Sequence, residues 1–363
     1  NAFGMAYDLA GNLFSTDNDP NATPPNRLLN IIPGADFGYE YRYGRSGRHP
    51  LVCWFGENPG TLGMIGALGE AACGVIPHGP GKLLSASWTD NRVDLHVLQP
   101  HGDSFTASRE PFLSGPDDFR PVHFSYSADG KYLYFTDWVK LSYPVHGHGR
   151  IWQVEFKQPV QMHPLPRTDV HQAMTVEESL VSLGSDDPYV RTRAIQFLTT
   201  HPEILLTHSF DTHPSSTARA HHAIALKRLD HEGQPSVIPK LLEDTSPDVR
   251  FVGIKWIADK NLTHYQTHLE KVLSLPDLKR KELRAVIASL ATLAGPSKKE
   301  FSPDEKLLEL ALDTNKTPRI RALALQCINV THKQLTVATL SKLAQSEYPS
   351  IQHEAVYSLA IHP

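Results

Sequence analysis

From about Thr175 to the end of the chain, one local arrangement recurs six times. A small apolar residue is followed by Arg, once by Gln, and then by an amphipathic run. The anchors are Val190-Arg191, Ala218-Arg219, Val249-Arg250, Leu283-Arg284, Ile320-Arg321 and Ile351-Gln352, spaced 28, 31, 34, 37 and 31 residues apart. A period of this length with helical patterning marks units that cannot bury their apolar faces alone and must stack on neighbours of the same kind. Pro188, Pro247, Pro318 and Pro349 each stand three residues before the Arg or Gln. At a first helical position the missing N–H of proline costs nothing. Asp187, Ser246 and Thr317 stand immediately before three of these prolines as N-caps. Ile320, Leu323, Ala324, Cys327 and Ile328 then form a single buried stripe, and Val249, Val252, Trp256 and Ile257 form another. Each unit therefore reads as a helix pair, and residues 175–363 as a solenoid of six units.

Residues 1–156 carry a different pattern. A turn glycine, a short apolar strand and a small or polar exit recur at Gly11 to Asp17, Gly81 to Trp88 and Gly130 to Trp138. The glycines lie 70 and 49 residues apart. Short strands precede the first and third units (Gly4 to Tyr7, Val122 to Tyr126), and outer strands follow the second and third (Arg92 to Leu98, Arg150 to Phe156). Such spacing suits a β-propeller better than a sandwich, with about three blades in this stretch. The interval from Arg42 to Gly74 has no clear period and is expected to loop over the ligand face. Residues 157–174, with Pro159, Pro164 and Pro166, read as a linker. The fold class is thus all-β followed by all-α. The opening at Asn1-Ala2-Phe3 reads as the inside of a strand-rich domain, so the chain is expected to be a piece of a longer protein.

Composition excludes several functions. A net charge of −4 provides no basic field for nucleic acid or anionic membranes. No stretch of 18 apolar residues is present to span a bilayer. P-loop, G-x-G-x-x-G, G-x-S-x-G and H-E-x-x-H patterns are absent, and the three cysteines form no C-x-x-C. Cys53 and Cys73 share a loop and could pair in an oxidising compartment, while Cys327 reads as a small buried hydrophobe. His146 and His148 read as a solvated loop. His221 and His222, adjacent on one helix, point to different faces.

Two sites have chemistry to offer. Asp17, Asn18 and Asp19, locked by Pro20, place carboxylate and amide oxygens at a strand end. That donor type suits Ca²⁺, although the spacing is not that of an EF-hand, and an ordinary Asx-rich turn is the alternative. Arg120, immediately before a strand, could clamp a carboxylate or a quinone oxygen, or pair with Asp117 or Asp118.

The repeats resemble the HEAT family, whose D-x-x-V-R element stands here as Asp187-Pro188-Tyr189-Val190-Arg191. That implies protein docking through the helical array. The first half resembles the β-propeller of soluble quinoprotein dehydrogenases of the glucose/sorbosone type, through Phe3-Gly4-Met5-Ala6-Tyr7-Asp8, Gly11-Asn12-Leu13, Asp17-Asn18-Asp19-Pro20, Asp36-Phe37-Gly38-Tyr39, Phe119-Arg120-Pro121-Val122 and Asp129-Gly130. The combination is similar to large secreted dehydrogenase-like proteins of planctomycete-type bacteria. The resemblance implies pyrroloquinoline quinone and Ca²⁺ as cofactors, a sugar, glycan or related alcohol as partner, and a periplasmic or secreted location. It places Asn1, Asn18, Pro20 and Arg120 against the quinone, and Asp17 and Asp19 near the metal. Departures accompany it: Asp118 replaces a second arginine, Phe3 a glutamine, and Thr89-Asp90 a lysine. The histidine base would lie upstream of Asn1. The resemblance therefore implies an oxidoreductase in the longer parent protein, with a non-catalytic binding or scaffold protein as the rival.

Overall fold

The computed structural model describes residues 2–19, 25–44, 49–162, 174–229, 234–295 and 303–362. It forms two compact units, one of residues Asn1–Arg48 and Val52–His201, the other of His49–Leu51 and Pro202–Pro363.

The first unit carries three antiparallel sheets laid down in chain order. The first runs β1 (Ala2–Tyr7), β2 (Leu13–Asp17), β3 (Asn26–Ile31), β4 (Gly66–Leu68). The second runs β5 (Ala72–Pro77), β6 (Lys82–Ser87), β7 (Arg92–His101), β8 (Ser104–Ser114), and the third β9 (Pro121–Tyr126), β10 (Tyr132–Asp137), β11 (Arg150–Glu155). The three glycine-led units of the sequence are β2, β6 and β10, the second strand of each sheet. Gly11, Gly81 and Gly130 all have φ between 66° and 86°, the left-handed region a tight turn into a strand requires. First strands pack side by side, β1 against β5 and β5 against β9.

Four strands escape the sequence reading: β3, β4, β5 and β8. β8 is a long hairpin partner whose Ser-Arg-Glu-Pro text hides its alternation. The 42–74 interval is more than a loop. It supplies β4, the start of β5, and the buried side chains Trp54 and Leu62. Apolar residues of the first and second sheets share one core, including Phe14, Leu28, Leu62, Leu83 and Phe105.

Twelve α-helices follow among the described residues, as six consecutive pairs: α1 (Val176–Ser182) and α2 (Pro188–Thr199); α3 (Pro202–Thr207) and α4 (Ser216–Leu229); α5 (Ile238–Leu242) and α6 (Pro247–Asp259); α7 (Gln266–Val272) and α8 (Arg280–Ala294); α9 (Pro303–Leu312) and α10 (Pro318–Cys327); α11 (Val337–Leu343) and α12 (Pro349–Ala360). All six sequence anchors lie on the second helix of a pair. Within the second unit α4 packs on α6, α6 on α8, α8 on α10 and α10 on α12, which is how a repeat array buries its stripes. Asp187 and Thr317 cap as expected, accepting from the N–H groups of Tyr189 and Ile320. Ser246 precedes its helix without a side-chain cap bond.

The compact boundary falls after His201, later than the proline-rich segment. The cause is α2. Its Tyr189 ring lies in the sheet core, and Asp187 also accepts from the N–H of Asp103 in the β7–β8 turn at 2.8 Å. Arg193 pairs with Asp103. The first helix pair is therefore fastened to the sheets. Pro164 and Pro166 lie outside the described residues.

Candidate functional site

The repeated strands build one cavity. The second residue of each first strand reaches it: Phe3 on β1, Cys73 on β5 and Val122 on β9. The residue that follows each second strand does the same: Asn18 after β2, Trp88 after β6 and Trp138 after β10. Ala71 and Tyr143 complete the wall of a space of about 240 Å³. Four of the eight lining residues are aromatic, none carries a formal charge at neutral pH, and Asn18 is the sole amide. Trp88 and Tyr143 stack with centroids 5.8 Å apart and planes 9° from parallel. Burial raises the Cys73 thiol to about 11, which leaves it a thiol and a poor nucleophile at neutral pH.

Behind this wall lie the charged residues singled out in the sequence. Asp17 ends β2 opposite Arg27 on β3. Its Oδ2 accepts from Arg27 Nη2 at 2.6 Å and from Nε at 3.1 Å. Arg27 is 1% exposed, also donates to the carbonyls of Phe37 and Trp54, and lies 3.5 Å over the Trp54 ring. Burial lowers its pKa despite the Asp17 partner. The same construction returns in the third sheet, where Asp137 ends β10 opposite Arg150 and accepts from it at 2.8 Å. In the second sheet Ser87 takes the strand-end position, and Arg92 opposite it pairs with Asp94 at 2.7 Å. Asp17 is thus one copy of a strand-closing ion pair.

Arg120 is buried beside the cavity without lining it. Its Nη1 donates to the carbonyls of Trp88 and Thr89 and to Asn91 Oδ1 at 2.9 to 3.0 Å. Its charge lies 5.4 Å from the Trp88 ring centre, and its Nε has no hydrogen-bond partner among the described residues. It pairs with neither Asp117 nor Asp118; Asp118 pairs with Arg150. Asn18 reaches the cavity. Asp19 donates its N–H to Asn26 Oδ1 at 2.6 Å. Asn1 and Pro20 lie outside the described residues.

The fit to the implied cofactors is poor. Pyrroloquinoline quinone is a tricarboxylate, and no lining residue is a cation. The Asp17 carboxylate is committed to a guanidinium, and no group of three or more His, Cys, Asp or Glu among the described residues could hold a metal ion. Cys53 and Cys73 are unpaired: Cys53 Sγ contacts Thr61 Oγ1 at 3.3 Å, while Cys73 donates to the Ala71 carbonyl. The loop of His146 and His148 is largely exposed, as expected, although the His146 ring lies edge-on against Trp138 at 4.8 Å. His221 and His222 are both buried, His222 against His213.

Sequence reasoning missed Trp88, Trp138 and Tyr143. The signal was present for two of them, because the exit after each glycine-led strand occupies an equivalent place. Tyr143 had no signal beyond its loop position.

No protein-family model matches the chain, and no curated protein matches it. Among solved structures, the chain is similar to a protein of Thermus thermophilus named as an oxidoreductase (glucose dehydrogenase), at 21% identity and TM-score 0.34 over 42% of this chain. The chain covers 44% of that structure's length. A designed armadillo repeat protein matches at 17% identity and TM-score 0.25, over 51% of this chain and 99% of its own. No helix among the described residues is long and apolar enough to cross a membrane.

Proposed function

We propose that this chain is a non-catalytic binding protein. In this reading the three sheets are consecutive blades of a β-propeller portion. Their equivalent strand ends form a pocket for a small ligand, and the helical repeats offer a docking surface for another protein. One observation carries it: the charged groups near the pocket serve the fold, and the pocket wall is aromatic and uncharged. Apolar, ring-lined concavities with a few polar groups are the usual form of small-molecule sites. A periplasmic or secreted setting, implied by the family resemblance, belongs to the same reading.

A second reading, oxidation of a sugar or related alcohol with quinone and Ca²⁺ in the longer parent, is favoured by one detail. Arg120 is a buried cation with no ion-pair partner among the described residues and a free Nε, as a site for an anion would have. The two readings separate in a calorimetric titration with pyrroloquinoline quinone and Ca²⁺, followed by a dye-reduction assay with aldoses. The binding-protein reading expects no saturable heat and no turnover. Stoichiometric quinone binding with dye reduction would overturn it.

A further inference from the structure

The most exposed ring of the cavity is also the one in best stacking register. Tyr143 is 85% exposed, yet it lies nearly parallel on Trp88, which is only 9% exposed. Most of the phenol thus gains little burial for itself while screening the indole. It sits at the far end of a short strap that begins at Trp138, another wall of the same cavity.

That strap is held in a strained shape. Val139 has φ 74°, and the Lys140 N–H donates to the Trp138 carbonyl at 3.0 Å, a γ-turn of the positive-φ kind. A β-branched residue in that region is a true outlier, tolerated only where the surroundings impose it. Three bonds impose it here. The Val139 N–H donates to Asp137 Oδ1 at 2.8 Å, the Trp138 indole N–H to the Ser142 carbonyl at 2.5 Å, and Arg150 fixes the Asp137 carboxylate. The strap therefore starts from a fixed base and delivers an aromatic ring onto the Trp88 face.

We propose that the Trp88 face is an aryl-binding site which Tyr143 occupies in the free protein, and that its ligand is an uncharged, phenol-like ring. This rests on the binding-protein reading above and names the ligand class. The wall offers one amide, so the hydroxyls of a pyranose would lose water bonds without replacement. A flat phenol-like ring has a single hydroxyl to satisfy there and gains the offset stacking that Tyr143 now makes. The Arg120 charge near the indole draws density from its π system, which further suits an electron-rich ring. The source could be a free phenol or a tyrosine side chain on a peptide, since the ring is common to both.

The test measures binding of p-cresol, a short tyrosine-containing peptide, methyl β-glucopyranoside and 4-hydroxybenzoate, by calorimetry, to the wild-type chain, Tyr143→Ala and Trp88→Leu. Removing a stacked intramolecular competitor should tighten p-cresol binding about tenfold in Tyr143→Ala, and Trp88→Leu should abolish it while circular dichroism stays unchanged. The peptide following the same order would identify a protein-borne ring, and p-cresol alone a free one; either supports the site. Equal or weaker p-cresol binding in Tyr143→Ala would make Tyr143 a mere wall and overturn the inference, leaving the binding-protein reading intact. Preference for the glucoside or the benzoate, or binding retained in Trp88→Leu, would also overturn it. If no neutral ring binds any variant, the reading beneath it fails as well.

Discussion

Both compact units bury guanidinium groups, and they do so by different rules. In the helical unit one solution is copied. Arg219 donates to the carbonyls of His213 and Pro214 just before its own helix, then to both oxygens of Asp244 in the next pair. Arg250 donates to the carbonyls of Asp244 and Thr245, then to Glu282 and Asp277 of the next. Each of these two repeats thereby closes its own turn and clips its successor. In the sheet unit the rule is copied between the first and third sheets, as Asp17–Arg27 and Asp137–Arg150, and broken in the second, where Ser87 stands at the strand end. A repeat array needs identical joints because every unit meets the next in the same way. Sheets that share a cavity can vary their joints: Asn18, Trp88 and Trp138 reach one pocket from equivalent places, whether the strand before them ends in Asp or in Ser.

The largest effects should come from cutting these joints. Arg27→Met leaves the Asp17 carboxylate buried without its partner and should cost about 4 kcal/mol. Arg250→Met leaves Glu282, 1% exposed, in the same position, but Asp277 is half-exposed and can return to water, so about 3 kcal/mol is expected. Guanidinium unfolding followed by tryptophan fluorescence reports mainly the first unit, which holds four of the five tryptophans, and far-ultraviolet circular dichroism reports mainly the helices. Arg27→Met should move the fluorescence transition more, and Arg250→Met the dichroism transition. In the double variant Asp17→Asn/Arg27→Met much of the first loss should be recovered, since no uncompensated charge remains. A loss equal to the sum of the single variants would show the pair to be uncoupled.

The two units also differed in how far the chain announced them. The helical repeats were open to reading because their signal is local: a cap, a proline, an apolar-Arg step and a stripe fit within one helix, and all six anchors fell on the helices expected. The sheets were half legible. Gly11, Gly81 and Gly130 mark their strands by a backbone requirement, whereas β8 carries Ser108, Arg109, Glu110 and Pro111 and shows no clean alternation. The candidate site was least legible. Asp17 and Arg120 have the residue types of cofactor ligands, but what they contact depends on Arg27, Trp54, Trp88 and Asn91, which strand pairing brings close. Tyr189 makes the same point at the boundary. It reads as a repeat residue, and its burial among sheet side chains follows from tertiary packing alone.

Acid should probe the two units through one histidine each. His96 lies at 0% exposure beside Ser85 Oγ, at 2.8 Å, with Nδ1 unpartnered among the described residues. Burial, with Arg109 nearby, lowers it to about 3. His222 contacts His213 through Nδ1 at 3.0 Å, and burial together with His213 lowers it to about 4. In the unfolded chain both titrate near 6.5. Below that pH the unfolded state takes up protons that the native state refuses, so stability is full above about pH 6.5 and falls as the pH drops. The loss should run to about 3 for His96 and stop near 4 for His222, at about 1.4 kcal/mol per pH unit for each. His96→Leu should flatten the pH dependence of the fluorescence transition and His222→Leu that of the dichroism transition. An unchanged slope in either would mean that the imidazole gains water or a partner on protonation.

The smallest effects concern the three caps, and they discriminate most finely between the units. Asp187, Ser246 and Thr317 look alike in the sequence, each before a proline at a helix start. Thr317 accepts from the Ile320 N–H, so Thr317→Ala should cost about 1 kcal/mol. Ser246 makes no side-chain cap bond, and Ser246→Ala should change stability by less than about 0.3 kcal/mol. Asp187 caps α2 and also holds the Asp103 N–H of the β7–β8 turn. Asp187→Ala should therefore cost about 2 kcal/mol and register in the fluorescence transition, because it loosens a helix that belongs to the sheet unit. Asp187→Asn keeps one acceptor oxygen and should recover the cap more than the turn. If Asp187→Ala and Thr317→Ala instead cost the same and appear only in the dichroism transition, α2 behaves as one more repeat helix, and the boundary belongs before Thr175.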